Sequence, residues 1–179
     1  MLHSALVTAL VAFLLAQSAT AGTDFQSMPV GCSWTTAYSN GAVWVETYLG
    51  TKGGAYVTET RDGSAKGPLV ARKQFNANGL MIKRTWSNGK WERFDPYSCF
   101  GEPGSCRYTH TNADGDRSIL LNETTKSGQS YKVAGRVEGG DRFPDEYFTL
   151  GPFNLMVTNK STNYSARVTE FSNCNLAAP

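Results

Sequence analysis

The sequence predicts an all-β fold: an antiparallel meander of about ten short strands, closed or nearly closed into an up-and-down barrel, with a two-sheet β-sandwich as the alternative. Three observations predict it. Side chains alternate in run after run with period two, the spacing that sends successive residues to opposite faces of a strand. The runs are rich in Val, Thr, Tyr, Trp and Phe and are punctuated by Gly, Asn and Asp, the residues of strands and of turns respectively. Beyond the first 21 residues no window carries an apolar i, i+3, i+4, i+7 stripe.

In chain order, Met1–Ala21 reads as a cleaved signal peptide: an apolar run over Ala5–Leu15, broken only by Thr8, then Ala19-Thr20-Ala21, the small-x-small pattern of a cleavage site. Its n-region holds no Lys or Arg. The run is far short of the roughly 20 residues that cross a bilayer. Residues 22–179 then form a single all-β domain, with no transmembrane segment after cleavage. The formal charge of +2 is carried entirely by that part. A balance so close to neutral selects no charged partner unless charges cluster.

Four cysteines, Cys32, Cys99, Cys106 and Cys174, are an even number in an exported chain and favour disulfides over metal ligation. Three pairings are possible. Gly101, Pro103 and Gly104 supply a turn between Cys99 and Cys106, which leaves Cys32 for Cys174, joining the domain's beginning to its end.

The strands are expected at Ala42–Leu49, Ala55–Arg61, Leu69–Phe75, Leu80–Trp86, Lys90–Phe94, Cys106–Thr111, Arg117–Glu123, Ser130–Val137, Glu146–Leu150, Phe153–Val157 and Tyr164–Phe171. Asn78-Gly79 and Asn88-Gly89 are strong hairpin signals, because tight turns need positive φ. So many strands in sequence order leave exposed edges unless the sheet closes, and a Cys32–Cys174 bridge would bring first and last strands together.

Chemistry-bearing motifs are sparse. His110, the one histidine outside the leader, shares a strand face with Tyr108 and Cys106 and reads as a packed position. No Gly-x-Ser-x-Gly accompanies it. Asn112-Ala-Asp-Gly-Asp116 imitates a calcium loop, but Arg117 stands where that loop needs Gly; a polar turn accounts for it. Acidic pairs such as Asp141 with Asp145 and Glu92 with Asp95 read as solvated turn charges. Asn122, Asn159 and Asn163 match the glycosylation acceptor pattern.

The densest cluster runs from Lys66 to Phe94, with seven basic residues and one acid, Glu92. A two-residue turn at Asn88-Gly89 would set Trp86 opposite Trp91 and Arg84 opposite Arg93. A four-residue loop at 76–79 would set Arg72 opposite Lys83. Like charges directly opposed are unfavourable, unless solvent screens them or an anion sits between them, and Trp beside Arg suits ring stacking.

The expectation is therefore a secreted or periplasmic, non-catalytic protein binding an anionic or amphipathic ligand, an acidic glycan or a lipid headgroup. The binding residues would be Arg72, Lys83, Arg84, Trp86, Trp91 and Arg93 on a hairpin surface. No cofactor, metal or nucleic acid is expected, and the oligomeric state stays open. The alternatives are an extracytoplasmic hydrolase with its site in the barrel mouth and a purely structural envelope protein.

Overall fold

The computed structural model describes residues 22–176, so the expected signal peptide lies outside the described residues. Twelve strands follow one another round one closed sheet: β1 (Ser33–Tyr38), β2 (Val43–Lys52), β3 (Ala55–Asp62), β4 (Leu69–Phe75), β5 (Met81–Trp86), β6 (Trp91–Asp95), β7 (Gly104–Asn112), β8 (Arg117–Ser127), β9 (Ser130–Val137), β10 (Glu146–Leu150), β11 (Met156–Lys160) and β12 (Ser165–Ser172). Each pairs antiparallel with its chain neighbours, and β1 pairs with β12 to close the ring. The fold is thus the expected closed barrel, and closure leaves the sheet no edge.

The count of about ten, drawn from eleven expected runs, is corrected to twelve, each of the eleven runs having its strand. The additional strand is β1, whose Ser33-Trp-Thr-Thr-Ala-Tyr38 offers only two large apolar side chains to alternate. The strand expected at 153–157 starts later, at Met156, because Phe153 and Asn154 adopt left-handed φ values of 55° and 54° in a short 3₁₀ turn behind Pro152.

Register assigns the faces. Rows of paired residues such as Trp34–Glu46–Thr60 and Tyr48–Thr58–Lys73–Arg84–Glu92 point into the barrel. Their neighbours along each strand point out. Asn122, paired with Cys106 and Gly135, is an inward residue 7% exposed, and Asn159 is also inward, whereas Asn163 sits exposed in the β11–β12 turn.

Eight strands enclose about as much space as their own inward side chains fill, and diameter grows with strand number. This barrel therefore needs further filling, and two segments at its lower end provide it. Residues 22–32 fold across that end, with Thr23 N–H donating to Gly79 and Asp24 N–H to Phe153. They carry Phe25 (3% exposed) and Met28 inward. The Phe25 ring lies 4.8 to 5.1 Å from those of Phe75, Tyr48 and Tyr56, in the 4.5–7 Å range of favourable aromatic pairing. The β6–β7 loop turns in beside it and sets Phe100 5.8 Å from Phe148.

Both disulfides lie at this end: Cys32–Cys174, closing 142 positions of chain, and Cys99–Cys106. Two disulfides fit an oxidising compartment outside the cytosol. Among the described residues no helix is long and apolar enough to cross a membrane. Exchanging Cys32 and Cys174 together for Ser should lower the unfolding free energy by about 5 kcal/mol, and the same exchange at Cys99 and Cys106 by about 2.5 kcal/mol, on the chain-entropy scale. Urea unfolding of the two double variants side by side checks that order.

On the outer wall, Glu59 is 9% exposed and clasped between Arg61 (2.6 Å) and Arg72 (2.8 Å). Burial opposes its ionisation, but the two guanidiniums outweigh burial and hold the carboxyl below its ordinary value of 4.5. Stability from this group is thus present above that value and lost as pH falls through the lowered folded value. Melting temperatures of wild type and Glu59→Gln should differ most near neutrality and converge under more acid conditions.

Candidate functional site

A charged layer crosses the upper half of the interior. Lys73 Nζ meets Glu46 Oε2 at 2.5 Å, and the Thr58 hydroxyl donates to the other oxygen of Glu46. Beside it Arg84 Nε donates to Glu92 Oε2 at 2.7 Å, and the Arg84 guanidinium lies 4.4 Å over the Trp86 ring. Lys73 and Arg84 are direct cross-strand partners. Their repulsion is tolerated because each has its own carboxylate.

Across the barrel a third inward carboxylate, Glu146, accepts hydrogen bonds from the Tyr164 hydroxyl at 2.5 Å and from Asn159 Nδ2 at 2.9 Å. Burial and the Glu146 carboxylate push the Tyr164 phenol far above its ordinary range, so it stays a hydrogen-bond donor at any accessible pH. Burial likewise raises Tyr38, with Glu46 adding to the effect and Arg84 opposing it. Three carboxylates against two cations leave this layer with a surplus negative charge.

Between this layer and the plugged lower end lies a cavity of about 440 Å³. Its lower wall is apolar, including Phe25, Phe75, Leu80, Phe148 and Leu155. Its upper wall includes Tyr38, Glu46, Lys73, Arg84, Asn159 and Tyr164. Asn159 Oδ1 is buried in that wall with no hydrogen-bond donor among the described residues, a condition that costs about 1–3 kcal/mol. An apolar pocket with a few convergent polar groups is the usual form of a small-molecule site, typically of about 300–1,000 Å³.

The hairpin expected to form one binding surface is divided by the wall. Arg84 and Trp86 face inward, and only Arg84 of the six lines the cavity. Arg72, Lys83, Trp91 and Arg93 face outward, and Arg72 is committed to Glu59. The expected pairings are corrected accordingly. Trp86 N–H donates to Lys90, and Gly89 N–H donates back to Trp86, with Gly89 at φ 82°. That is a three-residue loop with a glycine bulge, one residue longer than the tight turn. The slip sets Arg84 opposite Glu92, Lys83 opposite Arg93 and Trp91 opposite Thr85. A similar Asn76–Leu80 loop, and a register shift beside Phe75, set Arg72 opposite Thr85 instead of Lys83.

Sequence reasoning missed Glu46, Lys73, Tyr38, Asn159 and Tyr164, and took Glu92 for a solvated turn charge. The signal was present as a charge on an apolar parity: Trp44-x-Glu46-x-Tyr48, Ala71-x-Lys73-x-Phe75 and Glu92-x-Phe94. Of the other acids, Asp145 pairs with Lys132 and Arg142 at an exposed turn.

His110 also faces inward, its ring centroid 5.4 Å from that of Phe94. Its Nε2 is 3.9 Å from Glu92, beyond hydrogen-bond reach, so the two do not form a proton relay as they stand. The Asn112 Oδ1 accepts from the backbone of Asp114 and Asp116, which makes that stretch a polar turn.

The fold and the site together define a closed β-barrel with an internal, half-polar cavity. Compared with known proteins, the chain matches no family model, no curated protein and no solved structure. The inner ion pairs allow a direct test. Arg84→Met strands the half-buried Glu92 and should cost about 1–3 kcal/mol, while Arg84→Met with Glu92→Leu removes both charges and should recover part of the loss. Thermal and urea unfolding of the two variants measures the coupling.

Proposed function

We propose that the protein is exported to the cell exterior or the periplasm, with residues 1–21 as its leader, and works there as a non-catalytic binder of a small amphipathic molecule held inside the barrel. The observation that carries this reading is the cavity's polarity. An apolar lower wall suits a hydrocarbon portion, and a polar upper wall whose unpartnered group is the acceptor Asn159 Oδ1 suits a head that donates a hydrogen bond.

The interior favours the amphipathic arm of the expectation over the anionic one. Both inner cations are already paired with a glutamate, so an anionic head would have to compete with one of those pairs. A hydroxyl-bearing neutral head instead supplies the missing donor to Asn159 Oδ1 and leaves the Tyr164–Glu146 pair intact. Export fits the two disulfides.

The test uses the neutral dye N-phenylnaphthylamine, whose emission rises in an apolar site. The dye should bind, and a monoacylglycerol should displace it at a concentration about tenfold lower than the fatty acid of equal chain length. Ala166→Trp, which fills the cavity between Tyr38 and Asn159, should abolish the signal while circular dichroism stays that of a folded barrel. A folded wild type that takes up no dye, or an Ala166→Trp variant that binds it unchanged, removes the reading.

A further inference from the structure

The outer wall carries a second place of unusual charge. Lys83 and Arg93 stand directly opposite each other on β5 and β6. They differ in one respect from the inner Lys73–Arg84 pair, one strand away. Each inner cation has a carboxylate within ion-pair distance, at 2.5 Å in both cases. Among the described residues neither Lys83 nor Arg93 has one. Their remaining cross-strand partners are Gln74 and Thr111, both uncharged. Two cations held side by side without an internal counter-charge are unfavourable in the folded chain, and an anion from outside would relieve that cost.

The two line an outer groove of about 440 Å³ with Gln74, Trp91, Asp95 and Pro96. Lys83 Nζ lies 5.9 Å from the centroid of the half-buried Trp91 ring. The single acid of the groove, Asp95, is beyond ion-pair distance of either cation. We propose that this groove binds an acidic oligosaccharide through a uronate-type sugar, independently of the interior site. A carboxylate sits between Lys83 and Arg93, with the guanidinium able to donate two parallel hydrogen bonds. The adjoining sugar ring lies against Trp91, whose flat face suits the ring's C–H surface. Gln74 and Asp95 are placed to meet the hydroxyls.

An anionic lipid surface shares the charge chemistry but fits the groove less well. Membrane attachment draws on exposed apolar side chains beside the cations. The large exposed ones, Val30, Leu49, Phe143, Tyr147, Tyr164 and Leu176, are all absent from the groove's lining.

Trigalacturonate is the probe, titrated by calorimetry and by tryptophan emission, with maltotriose and phosphatidylglycerol vesicles as comparisons. Trigalacturonate should bind, maltotriose should not, and binding should weaken as salt is raised. Arg93→Gln and Lys83→Gln should each reduce affinity about tenfold, the effect of one lost charge-assisted hydrogen bond. Trp91→Ala should reduce it as well. Arg93 is exposed and touches no carboxylate, so its variant keeps the fold even where Trp91→Ala does not. Displacement of the dye from the interior should be unaffected by these three substitutions, which separates this site from the cavity. The proposal is overturned by absence of trigalacturonate binding, by equal binding to Arg93→Gln, or by vesicles binding where trigalacturonate does not.

Discussion

Closing twelve strands into one ring creates the constraint that organises this molecule. The ring removes every sheet edge, but its interior is wider than twelve rows of side chains can fill at protein packing density. Phe25 answers that constraint at one end. It is brought across the lower opening by residues 22–32 and enclosed by Tyr48, Tyr56 and Phe75. The Cys32–Cys174 bridge ties that plug segment to the last strand, so closure of the ring and sealing of its floor are one event in the chain. The cavity is the part of the excess interior that the plug does not occupy.

Charge is handled in two ways on the two sides of the same wall. Inside, where low dielectric makes an unpaired charge costly, Lys73 and Arg84 each meet a glutamate. Outside, some carboxylates are also engaged, with Glu59 held between two guanidiniums and Glu138 against Arg107. Lys83 and Arg93 stand directly opposite each other without a carboxylate, an arrangement that solvent permits because screening reduces the repulsion of an exposed pair. The wall thereby separates a hydrogen-bonding interior with surplus negative charge from a positive outer groove, although both are built from one hairpin.

Register is the reason one hairpin serves both faces. Moving a strand by one residue transfers each of its cross-strand relations to a different pair. With the two-residue turn that Asn88-Gly89 suggests, arginine would oppose arginine. With the bulged three-residue loop that forms, arginine opposes glutamate. The cross-strand Arg84–Glu92 hydrogen bonds agree with the bulged register, and the turn alone does not choose between the two.

The sequence by itself determined what is local and periodic: strands from twofold alternation, turns from Asn-Gly and Asp-Gly, and disulfides from an even cysteine count with a short Gly- and Pro-rich link between two of them. Those signals suffice for an all-β barrel because each depends on residues within a few positions of one another. Tertiary structure alone decided that Ser33–Tyr38 is a strand, since it is defined by pairing with β12 about 130 residues away. It also decided that Phe25 fills the floor, and that Glu46, Lys73, Arg84 and Glu92 meet inside. Such relations depend on register and closure, which sum over the whole ring, and a one-residue bulge in a single turn is enough to rewrite which side chains stand face to face.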